Sequence, residues 1–207
     1  MDRIPDPVLR DDPKVVTDDV DFARAREYAL LATLLWRGPD AGLIARLALL
    51  RGDASPLGRT HSALAEAAAK ASVESVRAEY FQIFEGVGRS QILPYASFYL
   101  TGSLHGRPLV RLRETLQGLG IERTECHSEP EDHAAFLCEV MADLAGGQIA
   151  APADAERAIF ETHLAPWIRR FFTDLEHIDC AAFYRRVGAV GRTFMGIESE
   201  AFRFASI

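Results

Sequence analysis

Apolar residues recur along this chain at steps of three and four. Leu43, Leu47 and Leu50 form one stripe, Val73, Val76, Tyr80, Ile83 and Phe84 a second, and Leu109, Leu112, Leu116 and Leu119 a third. The same interval returns in Ile168, Phe171, Phe172, Leu175 and Ile178, and again in Phe183, Val187, Val190 and Phe194. That period gathers each set on one side of an α-helix, and each side then needs a partner surface. Gly38-Pro39, Gly52, Gly86 and Gly88, Gly118 and Gly120, Gly146-Gly147 and Pro166 fall between the stripes, where helices should stop and start. Alternating Val, Ile and Thr runs that would mark strands are missing. The pattern predicts an all-α fold, a single helical bundle of roughly eight to ten helices. It also predicts one domain over residues 18–207, preceded by a flexible arm at 1–17 that carries three prolines and several aspartates.

Composition narrows the function. The 207 residues are 48% hydrophobic and 26% charged, as in an ordinary globular chain. The net charge of −7 argues against a nucleic-acid partner, which would need a basic stripe, and suits a cationic one. Only Lys14 and Lys70 are lysines, and neither stands in a phosphate loop. Cys126, Cys138 and Cys180 are odd in number and scattered, which fits reduced thiols better than a disulfide framework. The acidic start is unlike a signal peptide, and the longest apolar run, Tyr28 to Trp36, is far short of the ~20 residues that span a bilayer. A cytoplasmic protein without stable membrane insertion is expected.

Two connections are long and either polar or glycine-rich: residues 85–97, "EGVGRSQILPYAS", and 118–130, "GLGIERTECHSEP". Irregular segments of this kind commonly carry binding residues in helical proteins. The second leads into an acidic stretch, "SEPEDHAAFLCEVMADLAGG", at 128–147. Ser128 followed by Glu131 has the form of a capping box, and Pro130 suits a first helical turn. Glu129, Glu131 and Asp132 would favour the positive end of that helix. His133, Phe136, Leu137, Val140, Met141 and Leu144 then share one face, which sets His133 at the edge of the core. A hydrogen-bonded structural histidine is the commoner outcome there, and the alternative is that Asp132 and His133 line a groove at the helix mouth.

Other chemistry finds little support. Cys126, His127, His133 and Cys138 lack the spacing of metal ligands, so no metal is expected. "GVGRSQ" at 86–91 lacks the third glycine and the preceding strand of a dinucleotide fingerprint. Ser97 lacks the glycine-flanked elbow of a nucleophile. No cofactor and no enzymatic activity are expected. What remains is the aromatic stretch at 93–113, "LPYASFYLTGSLHGRPLVRLR". Such a cluster is most often core, but beside carboxylates it also suits a peptide that has arginines next to an apolar run.

The motif Glu129-Pro130-Glu131-Asp132-His133 ahead of an apolar helix resembles the signature of the TorD/DmsD family, cytoplasmic chaperones for molybdenum-containing oxidoreductases exported by the twin-arginine route. "YFQIFEGVG" at 80–88, "LPYASFYLTG" at 93–102, "HLAPWIRRFF" at 163–172 and "FYRRVGAVGRTF" at 183–194 are similar to that family's ordered motifs. The resemblance implies an all-helical fold with a hinge near the acidic motif. It implies that the chain binds a client's twin-arginine signal peptide and holds the apo-enzyme until cofactor insertion. The matching positions are Glu129, Pro130, Asp132 and His133, joined by Glu131, with Tyr80, Phe84, Pro94, Tyr95, Ser97 and Tyr99 as aromatic and polar surroundings. "YASFYLTG" is more aromatic than in the trimethylamine-oxide and dimethyl-sulfoxide reductase chaperones, which points to another client, with a formate dehydrogenase as the expectation. Self-association is left open. The rival readings are a helical adaptor that binds no signal peptide, and an enzyme using Asp132 and His133 as an acid-base pair.

Overall fold

The computed structural model describes residues 19–86, 91–121, 129–179 and 181–204. Among them run ten α-helices: α1 Asp19–Trp36, α2 Ala41–Leu47, α3 Pro56–Lys70, α4 Val73–Tyr80, α5 Ala96–Thr101, α6 Arg107–Gly118, α7 Ala134–Ala145, α8 Ala155–Ile159, α9 Ile168–Glu176 and α10 Phe183–Phe204. Two π-helical turns, Phe81–Glu85 and Phe160–Leu164, continue α4 and α8. The described residues contain no strand, and one isolated antiparallel bridge joins Tyr95 to His133. The all-helical fold read from the periodicity is borne out. The arm at 1–17 lies outside the described residues, as do Cys126, His127, Ser128 and Cys180. No described helix is long and apolar enough to cross a membrane.

Local chemistry sets most helix starts. Asp40 accepts the Leu43 N–H at 2.7 Å to cap α2. Ser55 caps α3 ahead of Pro56, whose missing N–H is harmless there. Ser72 and Ser75 cap each other at the head of α4. The start of α10 is capped from a distance: the Glu79 carboxylate on α4 accepts the N–H groups of Ala182, Phe183 and Tyr184 at 3.0–3.1 Å.

Packing is densest where α7 lies on α1 and where α9 lies on α10. The second pair meets through glycine. A Cβ on Gly191 would sit 2.3 Å from the Phe172 ring, and one on Gly188 would sit 2.4 Å from the Glu176 nitrogen. The "GAVG" of α10 is therefore what lets the two backbones approach.

Two expectations around the acidic stretch need correction. Helix α7 does not begin with a capping box at Ser128 and Glu131. It begins at Ala134 with His133 as its N-cap, and Glu131 and Asp132 form a turn before it. The His133 ring nitrogen accepts an N–H of the first turn, a role the sequence pattern assigned to a hydroxyl. Nor is α7 amphipathic with a single buried stripe. Ala134 to Cys138, Val140 to Ala142 and Ala145 are all buried, because α7 runs through the middle of the bundle.

Candidate functional site

The site forms where the turn at 129–133 meets the head of α5. Pro94 and Asp132 exchange backbone bonds with the facing segments: the Pro94 carbonyl accepts Ala134 N–H at 2.8 Å, and the Asp132 carbonyl accepts Ala96 N–H at 2.9 Å. These bonds bring residues some 35 positions apart in sequence into one mouth. Pro130 closes the turn by accepting the His133 N–H through its carbonyl.

Asp132 is 1% exposed. Its Oδ2 accepts the Ser97 N–H at 2.9 Å and so caps α5 from across the site. Its Oδ1 is buried and has no hydrogen-bond partner among the described residues. A carboxylate oxygen in that state is costly, because burial removes water and nothing replaces it. Ser97, fully buried, uses its Oγ to accept the His105 N–H at 3.0 Å. That bond anchors the loop in which His105 itself takes a left-handed φ of 66°.

His133 is 6% exposed and lies between two rings. Its imidazole stacks on Trp36 of α1, with centroids 4.9 Å apart and planes 5° from parallel, and meets the Tyr95 ring edge-on at 5.2 Å. Its Nδ1 accepts the Ala135 N–H at 3.1 Å. That bond makes Nδ1 the unprotonated nitrogen.

The two glutamates are half-buried and engage displaceable partners. Tyr95 donates its hydroxyl to Glu129 Oε2 at 2.5 Å. Arg113 of α6 donates Nε and Nη2 to Glu131 Oε2 at 2.9 and 2.7 Å, an ion pair whose arginine is largely in water. Burial, followed by the Glu129 bond and charge, pushes the Tyr95 phenol well above its ordinary value. It therefore stays protonated and keeps donating. Burial also pushes Tyr80 up to about 12, with the Glu85 and Glu129 charges adding to it.

The anticipated residues thus divide. Glu129, Pro130, Glu131, Asp132, His133, Pro94, Tyr95 and Ser97 converge on one mouth. Tyr80 and Phe84 form an adjoining aromatic group with Tyr184, at centroid distances of 5.1–5.8 Å, and the Glu129 charge reaches it. Tyr99 belongs elsewhere. Its ring packs on Trp167 and Phe171, and its hydroxyl donates to Asp174 on α9 at 2.9 Å. At four residues past Tyr95 it shares a helix face in the sequence, but α9 claims it. Sequence reasoning missed Trp36 and Arg113, since no periodicity links α1 or the polar side of α6 to the acidic turn.

The acid-base reading loses ground on this geometry. The Asp132 Oδ2 and the His133 Nδ1 are each committed to a helix terminus. Among the described residues no cluster of His, Cys, Asp and Glu is arranged to hold a metal ion.

A family model described as the nitrate reductase delta subunit matches residues 51–173, which include α5, the acidic turn and α7. The chain belongs to that family. The TorD resemblance read from the motifs is borne out by its relatives within the delta subunit family. The chain is similar to the chaperone protein TorD of Vibrio cholerae, with 28% identity over 127 residues, covering 57% of this chain and 58% of that protein. The match thus spans somewhat over half the length of that relative. The chaperone protein TorD of Shewanella loihica is similar at 24% identity over 212 residues, covering 91% of this chain and 97% of that protein. Among solved structures, a redox enzyme maturation protein from Archaeoglobus fulgidus shares the fold, with a TM-score of 0.52 and 20% identity over 84% of this chain and 93% of that one.

Proposed function

We propose that this chain is a cytoplasmic redox-enzyme maturation chaperone. In this reading it binds the twin-arginine signal peptide and the apo form of a molybdenum-containing oxidoreductase, and holds them until the cofactor is inserted. It is not an enzyme. A formate dehydrogenase is the proposed client, on the strength of the aromatic "YASFYLTG" segment alone. Family membership supports the general role.

The observation that carries the leader-binding part is the mouth at residues 129–133. Three carboxylates meet there beside Tyr95, His133 and Trp36, and one carboxylate oxygen, Asp132 Oδ1, is buried without a partner among the described residues. A twin-arginine leader presents two planar guanidinium groups and then an apolar run. Glu129 and Glu131 are the carboxylates it reaches first. A guanidinium replaces the Tyr95 hydroxyl on one and the solvent-exposed Arg113 on the other with a charge-assisted bond. Asp132 comes into play when the turn lifts from α5, a movement that gives up the Ser97 N–H bond and the two backbone bonds between the segments and lets the second carboxylate oxygen meet a guanidinium. Tyr95, with the adjoining Tyr80 and Phe84, then meets the apolar run.

Calorimetric titration with a twin-arginine leader peptide and its twin-lysine version tests the proposal. Leader affinity should fall with added salt, because half-exposed pairs are screened over about 8 Å at physiological ionic strength. Asp132→Asn should weaken leader binding by about 1–3 kcal/mol, and the twin-lysine peptide should bind the wild type less well than the leader. Equal binding of both peptides to wild type and Asp132→Asn, insensitive to salt, would reduce the acidic turn to a structural element.

A further inference from the structure

A second surface lies between α5, α6 and the π turn at Phe160–Leu164. It is a cleft of about 280 Å³ floored by Leu100, Pro108 and Leu112, with Arg107 and Arg111 at its edge and His163 at its back. At the lower end of the roughly 300–1,000 Å³ of small-molecule sites, it has room for side chains of a larger partner. Leu100, which lines the cleft, is 44% exposed, and Leu104 in the loop between α5 and α6 is 43% exposed. Exposed apolar side chains at a cleft are what a contact region presents.

The charge is what selects the partner. Arg107 and Arg111 stand four residues apart, on the same face of α6. Among the described residues neither guanidinium has a carboxylate or hydrogen-bond partner, and no carboxylate lines the cleft. Arg113 on the same helix is paired with Glu131. His163 adds no positive charge, since burial lowers its pKa and its Nε2 is held by the Thr115 hydroxyl at 2.9 Å. An apolar floor edged by two unneutralised arginines is therefore present on a chain of net charge −7.

We propose that this cleft docks an acidic amphipathic helix of a partner protein, with an apolar side chain on Leu100, Pro108 and Leu112 and carboxylates one turn away on Arg107 and Arg111. The chemistry is opposite to that of a twin-arginine leader, whose guanidinium groups the cleft repels. The acidic turn and the cleft then take different segments on either side of α6. This inference stands whether or not the acidic turn binds a leader.

The test uses the full chain labelled with ¹⁵N and a designed helical peptide of leucines and glutamates, beside its leucine and lysine counterpart. The acidic peptide should shift amide signals of residues 96–112 and 160–163 and leave those of 129–133 unmoved. Arg107→Glu with Arg111→Glu, both exposed and so compatible with folding, should weaken it about tenfold or more. The lysine peptide should bind this double variant in the same place and bind the wild type poorly. A twin-arginine leader should be unaffected by the double substitution. Equal binding of the two peptides to wild type, no effect of the double variant, or leader-induced shifts at residues 100–111 would each overturn the proposal. Stronger binding of phosphatidylglycerol vesicles than of the acidic peptide through these residues would overturn it as well and make the surface a lipid contact.

Discussion

Two groups of buried carboxylates show how the same chemistry serves different ends. On one side of the bundle Glu198 of α10, 1% exposed, receives Arg24 of α1 through both oxygens, Nε at 2.8 Å and Nη2 at 2.6 Å, and also the Tyr28 hydroxyl at 2.9 Å. Arg24 further bonds Asp21 and Glu156. Burial works against the Arg24 charge, yet the bonds and charges of Glu198 and Glu156 outweigh it and hold the guanidinium more firmly protonated than usual. Both Glu198 oxygens, all three Arg24 nitrogens and the Tyr28 hydroxyl have partners within the molecule. Asp132 is buried to the same degree, but it holds one backbone N–H and leaves an oxygen unpartnered among the described residues. Its neighbours Glu129 and Glu131 hold a phenol and a solvent-exposed arginine. A closed network ties α1, α8 and α10 together, whereas the open one retains acceptor capacity. That difference, rather than the number of carboxylates, is what supports the proposal of a cationic visitor at the acidic turn.

The comparison breaks most sharply at Glu198. Glu198→Ala removes two of the four side-chain bonds of half-buried Arg24 and the carboxylate that receives the buried Tyr28 hydroxyl, and should destabilise the fold by about 3–5 kcal/mol in urea titration. His133→Ala comes next. It removes the α7 cap and the stack on Trp36, and should cost about 2 kcal/mol by the same measurement. Asp132→Asn should change stability by less than about 1 kcal/mol, since the amide oxygen still accepts the Ser97 N–H and the amide nitrogen replaces an unpartnered oxygen. A loss as large as that at Glu198 would mean that the acidic turn is as structural as the Arg24 network.

The smallest effect is pH-dependent and lies outside both groups. The His61 bond to Glu27 raises the histidine pKa, against burial, which lowers it, so its folded value lies above the ordinary 6.5. The folded chain binds that proton more tightly, so the stabilisation is complete below 6.5 and is lost as the pH rises through the folded value. His61→Gln should therefore lower the melting temperature more at about pH 5.5 than at pH 8.5, by under about 1 kcal/mol for a partly exposed pair. A difference that is larger on the alkaline side would contradict the assigned pairing.

Much of this molecule is legible in its sequence because helix periodicity is a local property. The stripes at 109–116, 168–175 and 183–194 are the buried faces of α6, α9 and α10, and Gly38-Pro39 and Gly146-Gly147 stand just past the ends of α1 and α7, where the sequence placed breaks. The acidic motif was likewise legible as the place where Glu129 to His133 meet Tyr95. Its internal arrangement was not. His133 rather than Ser128 or Glu131 governs the start of α7, and Asp132 caps α5 instead of its own helix. Both follow from which segment lies opposite, and a single sequence does not state that. The same holds for the π turns at Phe81–Glu85 and Phe160–Leu164, which local propensity does not specify. It holds for Trp36 beneath His133 and for Tyr99, drawn to α9 by Trp167 and Asp174. Local steric and solvation preferences determined the helices and their buried faces. Long-range packing alone decided which buried carboxylates are neutralised by an arginine and which keep an oxygen without a partner among the described residues.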